Sequence, residues 1–137
     1  MAVERLLGEM YDSGDVMESV DEVLVVESST GGQKGLRLSR YDLIPPEVLT
    51  ALAEHYGKNS ITHGGKYEEE NWKLGMPWSW NYRAMIGHAV AFWAGEDIDK
   101  DSGSYHLTAV MWHAVALLFY VMNPFYKQFD NRPKKGS

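Results

Sequence analysis

From Leu49 onward the apolar positions fall three and four residues apart, at Leu49, Leu52, Ala53 and Tyr56. That spacing places them on one face of a helix. Pro45-Pro46 opens the run, and proline is tolerated in a helix's first turn. The pattern predicts a helix from about Pro45 to about Tyr56. A second helix is expected from Ser79, a good N-cap, to Ala94, with Gly95 as its stop. A third, capped by Ser102 or Ser104, runs to Met122 and ends before Asn123-Pro124. Upstream the pattern changes. VLVVE (Val23 to Glu27) and LRLSRYDL (Leu36 to Leu43) read as short strands around the loop SSTGGQKG, a candidate β-hairpin. GGKYEEENWKLGMPW reads as a loop rich in glycine, tryptophan and charge.

The expected fold is mainly α: a compact three-helix core ending in an antiparallel αα-hairpin, with a short N-terminal β-hairpin or loop element. Residues 1–22 form an acidic segment, 23–126 a single helical domain, and 127–137 a basic polar tail. Of the 137 residues 45% are hydrophobic, enough for a core without staples. There is no cysteine, so disulfides and thiolate zinc sites are impossible. The net charge of −6 argues against direct nucleic-acid binding, which depends on cations that neutralise phosphates. The longest apolar stretch, Leu107 to Met122, is too short for a membrane span. These features fit a protein of the cytoplasm with no membrane partner.

The candidate chemistry lies between His88 and His113. Three of the five histidines fall there, and Glu96, Asp97, Asp99 and Asp101 crowd the connection between the last two helices. Folding the chain about Lys100 brings His88 and His113 to nearly the same height on facing helices. His106 and His113, seven apart, share a face. Imidazole and carboxylate together can hold a divalent metal, and an imidazole can act as general base near neutrality. The competing reading is a solvated turn and hydrogen-bonded core histidines. Elsewhere, Lys34 in the glycine-rich loop, Lys66 and Arg83 offer cations for phosphate. Trp72 and Trp78 offer faces for stacking on a base, and Glu47 and Glu54 share one side of the first helix.

The blocks TGGQKG, RYDLIPPEVLTALAEHYG, GGKYEEENWKLGMPWS, HAVAFWAGEDIDKDSGSYHL and NPFYKQFDNRP resemble a family of small phage and prophage proteins. It is described as the dATP/dGTP diphosphohydrolase N-terminal domain, with members labelled MazG-like nucleotide pyrophosphohydrolases. The resemblance runs from about Ser28 to Pro133 and implies metal-dependent cleavage of purine deoxynucleoside triphosphates to monophosphate and pyrophosphate. In an enzyme reading of these residues, Lys34, Lys66 and Arg83 would hold phosphates and Trp72 or Trp78 would stack on the purine. Asp97, Asp99, His106 and Glu96 would bind Mg²⁺ or Mn²⁺, and His88, His113 and Glu54 would serve catalysis. One departure stands out: MazG-type enzymes carry E-x-x-E on a helix, and this chain has none. The alternative is a non-catalytic phage protein that sequesters a nucleotide or contacts a host partner. Aromatic residues on several sides of the hairpin, Phe92, Trp93, Trp112, Phe119 and Tyr120, point to a homo-oligomer.

Overall fold

The computed structural model describes residues 24–134, so the acidic segment 1–22 and the last residues of the basic tail lie outside it. The described residues divide at Pro45-Pro46 into two units.

The first unit is a small antiparallel hairpin. Strand β1 (Leu24–Glu27) pairs with β2 (Gln33–Leu36), with Val26 opposite Lys34. The turn closes through Gly31 N–H to Ser28 O, Ser28 N–H to Gly32 O and Gly32 N–H to Ser28 Oγ. Gly31 supplies the positive φ of 89° that this turn requires. The second strand occupies Gln33–Leu36, in the stretch read as loop, and only Leu36 of the expected strand Leu36 to Leu43 belongs to it. The chain instead tightens into a 3₁₀ turn over Tyr41–Leu43, where Arg40 grips Asp42 through two hydrogen bonds.

The second unit is helical. Helix α1 (Pro46–Asn59) begins on its proline and runs three residues past the sequence expectation. Ser60 then caps a 3₁₀ turn over Ile61–His63 by accepting from Thr62 N–H. Another 3₁₀ turn, Asn71–Leu74, leads to α2 (Trp78–Trp93). Pro77, not Ser79, occupies the N-cap position, and Gly95 follows the helix at φ 101°. Helix α3 (His106–Met122) starts after Tyr105, so neither Ser102 nor Ser104 is its cap. Helices α2 and α3 make the principal packing of this unit, and α1 lies against α3. No helix among the described residues is long and apolar enough to cross a membrane.

The core gathers at the open end of the α2–α3 hairpin, around Trp78, Tyr120 and Tyr126. Each tyrosine hydroxyl stays satisfied there: Tyr120 donates to the Trp72 carbonyl and Tyr126 to the Lys73 carbonyl. A closing 3₁₀ helix, Pro124–Phe129, brings Tyr126 and Phe129 onto this cluster. Gly75, at φ 99°, lies so close to the Phe129 ring that a β-carbon there would sit 2.3 Å from it. The start of the expected polar tail is held in place. Asn131 exchanges two hydrogen bonds with Ser79, and the Arg132 guanidinium lies 4.7 Å over the Trp78 ring.

Candidate metal centre and its cavity

The connection between α2 and α3 is folded around Asp99 rather than being a simple solvated turn. Asp99 Oδ1 accepts from Asp101 N–H and Oδ2 from the Ser102 hydroxyl. The Asp99 backbone bonds to Ser104 O and Gly103 N–H, and His106 N–H bonds to Asp97 O. These contacts aim the Asp99 carboxylate at the first turn of α3. Burial pushes its pKa up, but the two hydrogen bonds, with His88 and His106 nearby, outweigh that and leave it below the usual carboxylate value.

His88, Asp99 and His106 form one cluster, each offering a ligand atom within 4.8 Å of the others. His88 Nδ1 and His106 Nδ1 are 2.9 Å apart. Two bare lone pairs cannot face each other at that distance, so a proton or a cation must lie between them. Ligands at about 2.1 Å on adjacent corners of an octahedron stand about 3 Å apart, so the spacing suits a divalent cation. On its other side His106 Nε2–H donates to Glu96 Oε1 at 2.8 Å. A carboxylate behind the imidazole is the usual support of a metal-bound histidine.

The cluster borders a cavity of about 490 Å³, lined in part by His88, Asp99, His113 and His55. His113 stacks on His88 with ring centres 6.0 Å apart, and His113 Nδ1 lies 2.8 Å from Asn81 Oδ1. Burial, reinforced by His88 and His55, lowers the His113 pKa to about 4. His55 Nδ1 lies 2.9 Å from Ser104 Oγ, which also receives a hydrogen bond from Lys58 Nζ at 3.2 Å. Burial and then the Lys58 charge lower the His55 pKa. Trp72, Trp112, Tyr67 and Trp80 give the cavity aromatic walls. The Trp112 Nε1–H is buried with no acceptor among the described residues. No lysine or arginine lines the cavity among the described residues, whereas Glu68, Glu69 and Glu70 do.

The residues singled out in the sequence separate into two groups. His88, His106, Asp99 and Glu96 come together, with His113 and Trp72 on the same cavity. Asp97 contributes its carbonyl, and its side chain is exposed. Glu54, Lys66 and Arg83 are exposed and are not among the cavity's lining residues. Trp78 is a core residue, and Lys34 belongs to the hairpin unit. The fold-back pairs His88 with His106 and Asn81 with His113. Counting from Lys100 had set His88 level with His113. The folded loop of residues 94–105 is not helical, so its residues do not add helical rise. Sequence reasoning missed His55 and Asn81. A signal existed for Asn81, which stands seven residues before His88 as His106 stands seven before His113.

No curated protein matches this chain, and no solved structure matches it. A family model described as dATP/dGTP diphosphohydrolase, N-terminal, matches residues 28–132, most of the chain and all of the cavity's histidines, and the chain belongs to that family.

Proposed function

We propose that the helical unit is a metal-dependent nucleotide pyrophosphohydrolase that cleaves dATP or dGTP to the monophosphate and pyrophosphate. The observation that carries this reading is the His88–Asp99–His106 cluster, backed by Glu96, at the edge of an aromatic-walled cavity. Two imidazoles and one carboxylate favour Mn²⁺ over Mg²⁺. A cation there would offset phosphate charge and lower the pKa of a nearby water. Charge supports the same ligand. A triphosphate entering a cavity lined by carboxylates and, among the described residues, by no lysine or arginine needs bound cations to offset repulsion. The ligand is therefore the metal–nucleotide complex. Tyr67 and Trp80, both exposed at more than half of their surface, are available to stack on the base.

In this reading water attacks the α-phosphorus. A new P–O bond forms, the bridging bond to the β-phosphate breaks, and pyrophosphate leaves. The water's proton passes to an unprotonated imidazole, for which neutral His113 is suited. A second reading, a nucleotide-binding module without turnover, is favoured by the single carboxylate within the cluster. The exposed stripe Tyr82, Ile86, Val90 and Trp93 on α2 supports a homo-oligomer.

Incubation of the protein with dATP and dGTP, with Mn²⁺, Mg²⁺ or chelator, separates these readings. Metal-dependent release of pyrophosphate, lost in Asp99→Ala and His106→Ala, is the expected result. Intact nucleotide recovered from heat-denatured protein, with no pyrophosphate, would favour the binding module.

A further inference from the structure

We infer that hydrogen-bond chains behind the cavity lock His55 and His113 in opposite ring tautomers, so that the cavity receives a fixed donor from His55 and a fixed acceptor from His113. Each assignment follows from which atoms can donate.

For His55 the chain starts at Lys58. An ammonium has protons and no lone pair, so Lys58 Nζ donates to Ser104 Oγ. Ser104 is 6% exposed, and its hydroxyl proton needs an acceptor. The partner in reach is His55 Nδ1 at 2.9 Å. If His55 Nδ1 carried a proton instead, the Ser104 hydroxyl would accept twice and its own proton would be stranded. Nδ1 is therefore the bare nitrogen, and in the neutral ring Nε2 bears the hydrogen. With Nδ1 engaged behind the ring, Nε2–H is left for the cavity that His55 lines.

For His113 the chain starts at the Trp72 carbonyl, which takes the Tyr120 hydroxyl proton. Tyr120 Oη thus shows only lone pairs to its other neighbours. The Asn81 side chain lowers the Tyr120 pKa, although burial still raises it to about 12, and Asn81 Nδ2 is buried with no hydrogen-bond partner among the described residues. An amide beside those lone pairs turns its nitrogen toward them and its oxygen away. Asn81 Oδ1 then faces His113 Nδ1, which must donate. His113 Nε2 is left bare toward the cavity.

A cavity so equipped takes a ligand that presents an acceptor to His55 and a proton to His113. Resting on the pyrophosphohydrolase reading, these are a phosphoryl oxygen and the attacking water. Ser104, Lys58, Asn81 and Tyr120 are then positioning residues.

The test is a two-bond proton–nitrogen correlation spectrum of the full chain, labelled in its histidine rings, near neutral pH with chelator. The expected pattern is protonated Nε2 with bare Nδ1 in His55, and the reverse in His113. The same tautomer in both rings would overturn the inference. Ser104→Ala is expected to release His55 into a mixture of tautomers while His113 keeps its pattern, and Tyr120→Phe to do the converse. Unchanged spectra in both variants would overturn the positioning roles. If a metal–dNTP is turned over, His55→Phe is expected to lower kcat roughly 100-fold, and His55→Gln, which keeps a donor near the Nε2 position, to restore part of it. An equal kcat in His55→Phe would overturn the phosphoryl contact. The spectra decide the tautomers whether or not any nucleotide is cleaved.

Discussion

The two ends of the α2–α3 hairpin have opposite interiors. Toward the loop His88 faces His106, which Glu96 supports, and on rungs nearer the open end Asn81 pairs with His113. At the open end the side chains are Trp78, Tyr120 and Tyr126, packed ring on ring. Polar groups placed between helices cost desolvation unless paired, whereas buried rings stabilise outright. The aromatic end therefore sustains the cost of the polar end. Tyr120 belongs to both, with its ring in the core and its hydroxyl at the start of the chain that orients Asn81.

The sharpest way to break this comparison is Trp78→Ala. A tryptophan 4% exposed at the centre of the aromatic cluster is expected to cost about 3–5 kcal/mol of stability on truncation. Urea unfolding followed by circular dichroism measures it. A loss under 1 kcal/mol would mean that the aromatic end does not carry the fold. Glu96→Ala acts at the other end. It removes the carboxylate behind His106 and is expected to weaken metal binding by roughly 10–100-fold, while an exposed glutamate changes stability little. Mn²⁺ titration of the variant beside the unaltered protein is the check. Equal affinities would detach Glu96 from the centre.

Acid should act on the polar end first. His113 takes up a proton near 6.5 in the unfolded chain and near about 4 in the folded one. Between those values the unfolded state binds more protons. The stability held by neutral His113 is thus complete above about 6.5 and is lost as pH falls toward about 4. His55, also lowered by burial, adds in the same direction. Urea midpoints measured in chelator across that range are expected to fall, and His113→Asn to flatten the slope. An unchanged slope would show that His113 is solvated.

The helices were legible in the sequence because their apolar positions recur at the helical period. Leu49, Leu52 and Tyr56 mark α1, and Gly95 and Asn123-Pro124 mark the ends of α2 and α3. The candidate site was legible in kind, as histidines beside carboxylates, but not in pairing. The pairing depends on the Asp99-centred loop, whose hydrogen bonds leave no periodic trace and set which rungs of the hairpin meet. His55 was illegible for a related reason. One polar residue in an apolar helix looks the same whether it is exposed or satisfied by a distant partner, and Ser104 stands 49 residues from His55. Lys66 and Arg83 are exposed and are not among the cavity's lining residues. A cation near aromatic residues in sequence says nothing of the side from which it leaves the backbone.

The smallest expected effect separates two attractions at the aromatic end. Arg132 lies over Trp78 and also forms an ion pair with Asp130, at 2.8 Å from Nη2 to Oδ2. The pair is surface-exposed on the arginine side, and such pairs contribute little. A guanidinium over an indole face contributes about 0.5–1 kcal/mol at an exposed site. Arg132→Ala is therefore expected to lower stability slightly, with the loss coming from the stack. Salt decides between the two, because a contact with an aromatic face is screened less than an exposed charge pair. If the loss persists at high salt, the stack holds the C-terminal segment on α2. If it vanishes, the Asp130 pair carries it, and Asp130→Asn should reproduce it at low salt. In either case Mn²⁺ affinity should stay unchanged, since the segment touches the aromatic end of the hairpin and not the histidine end.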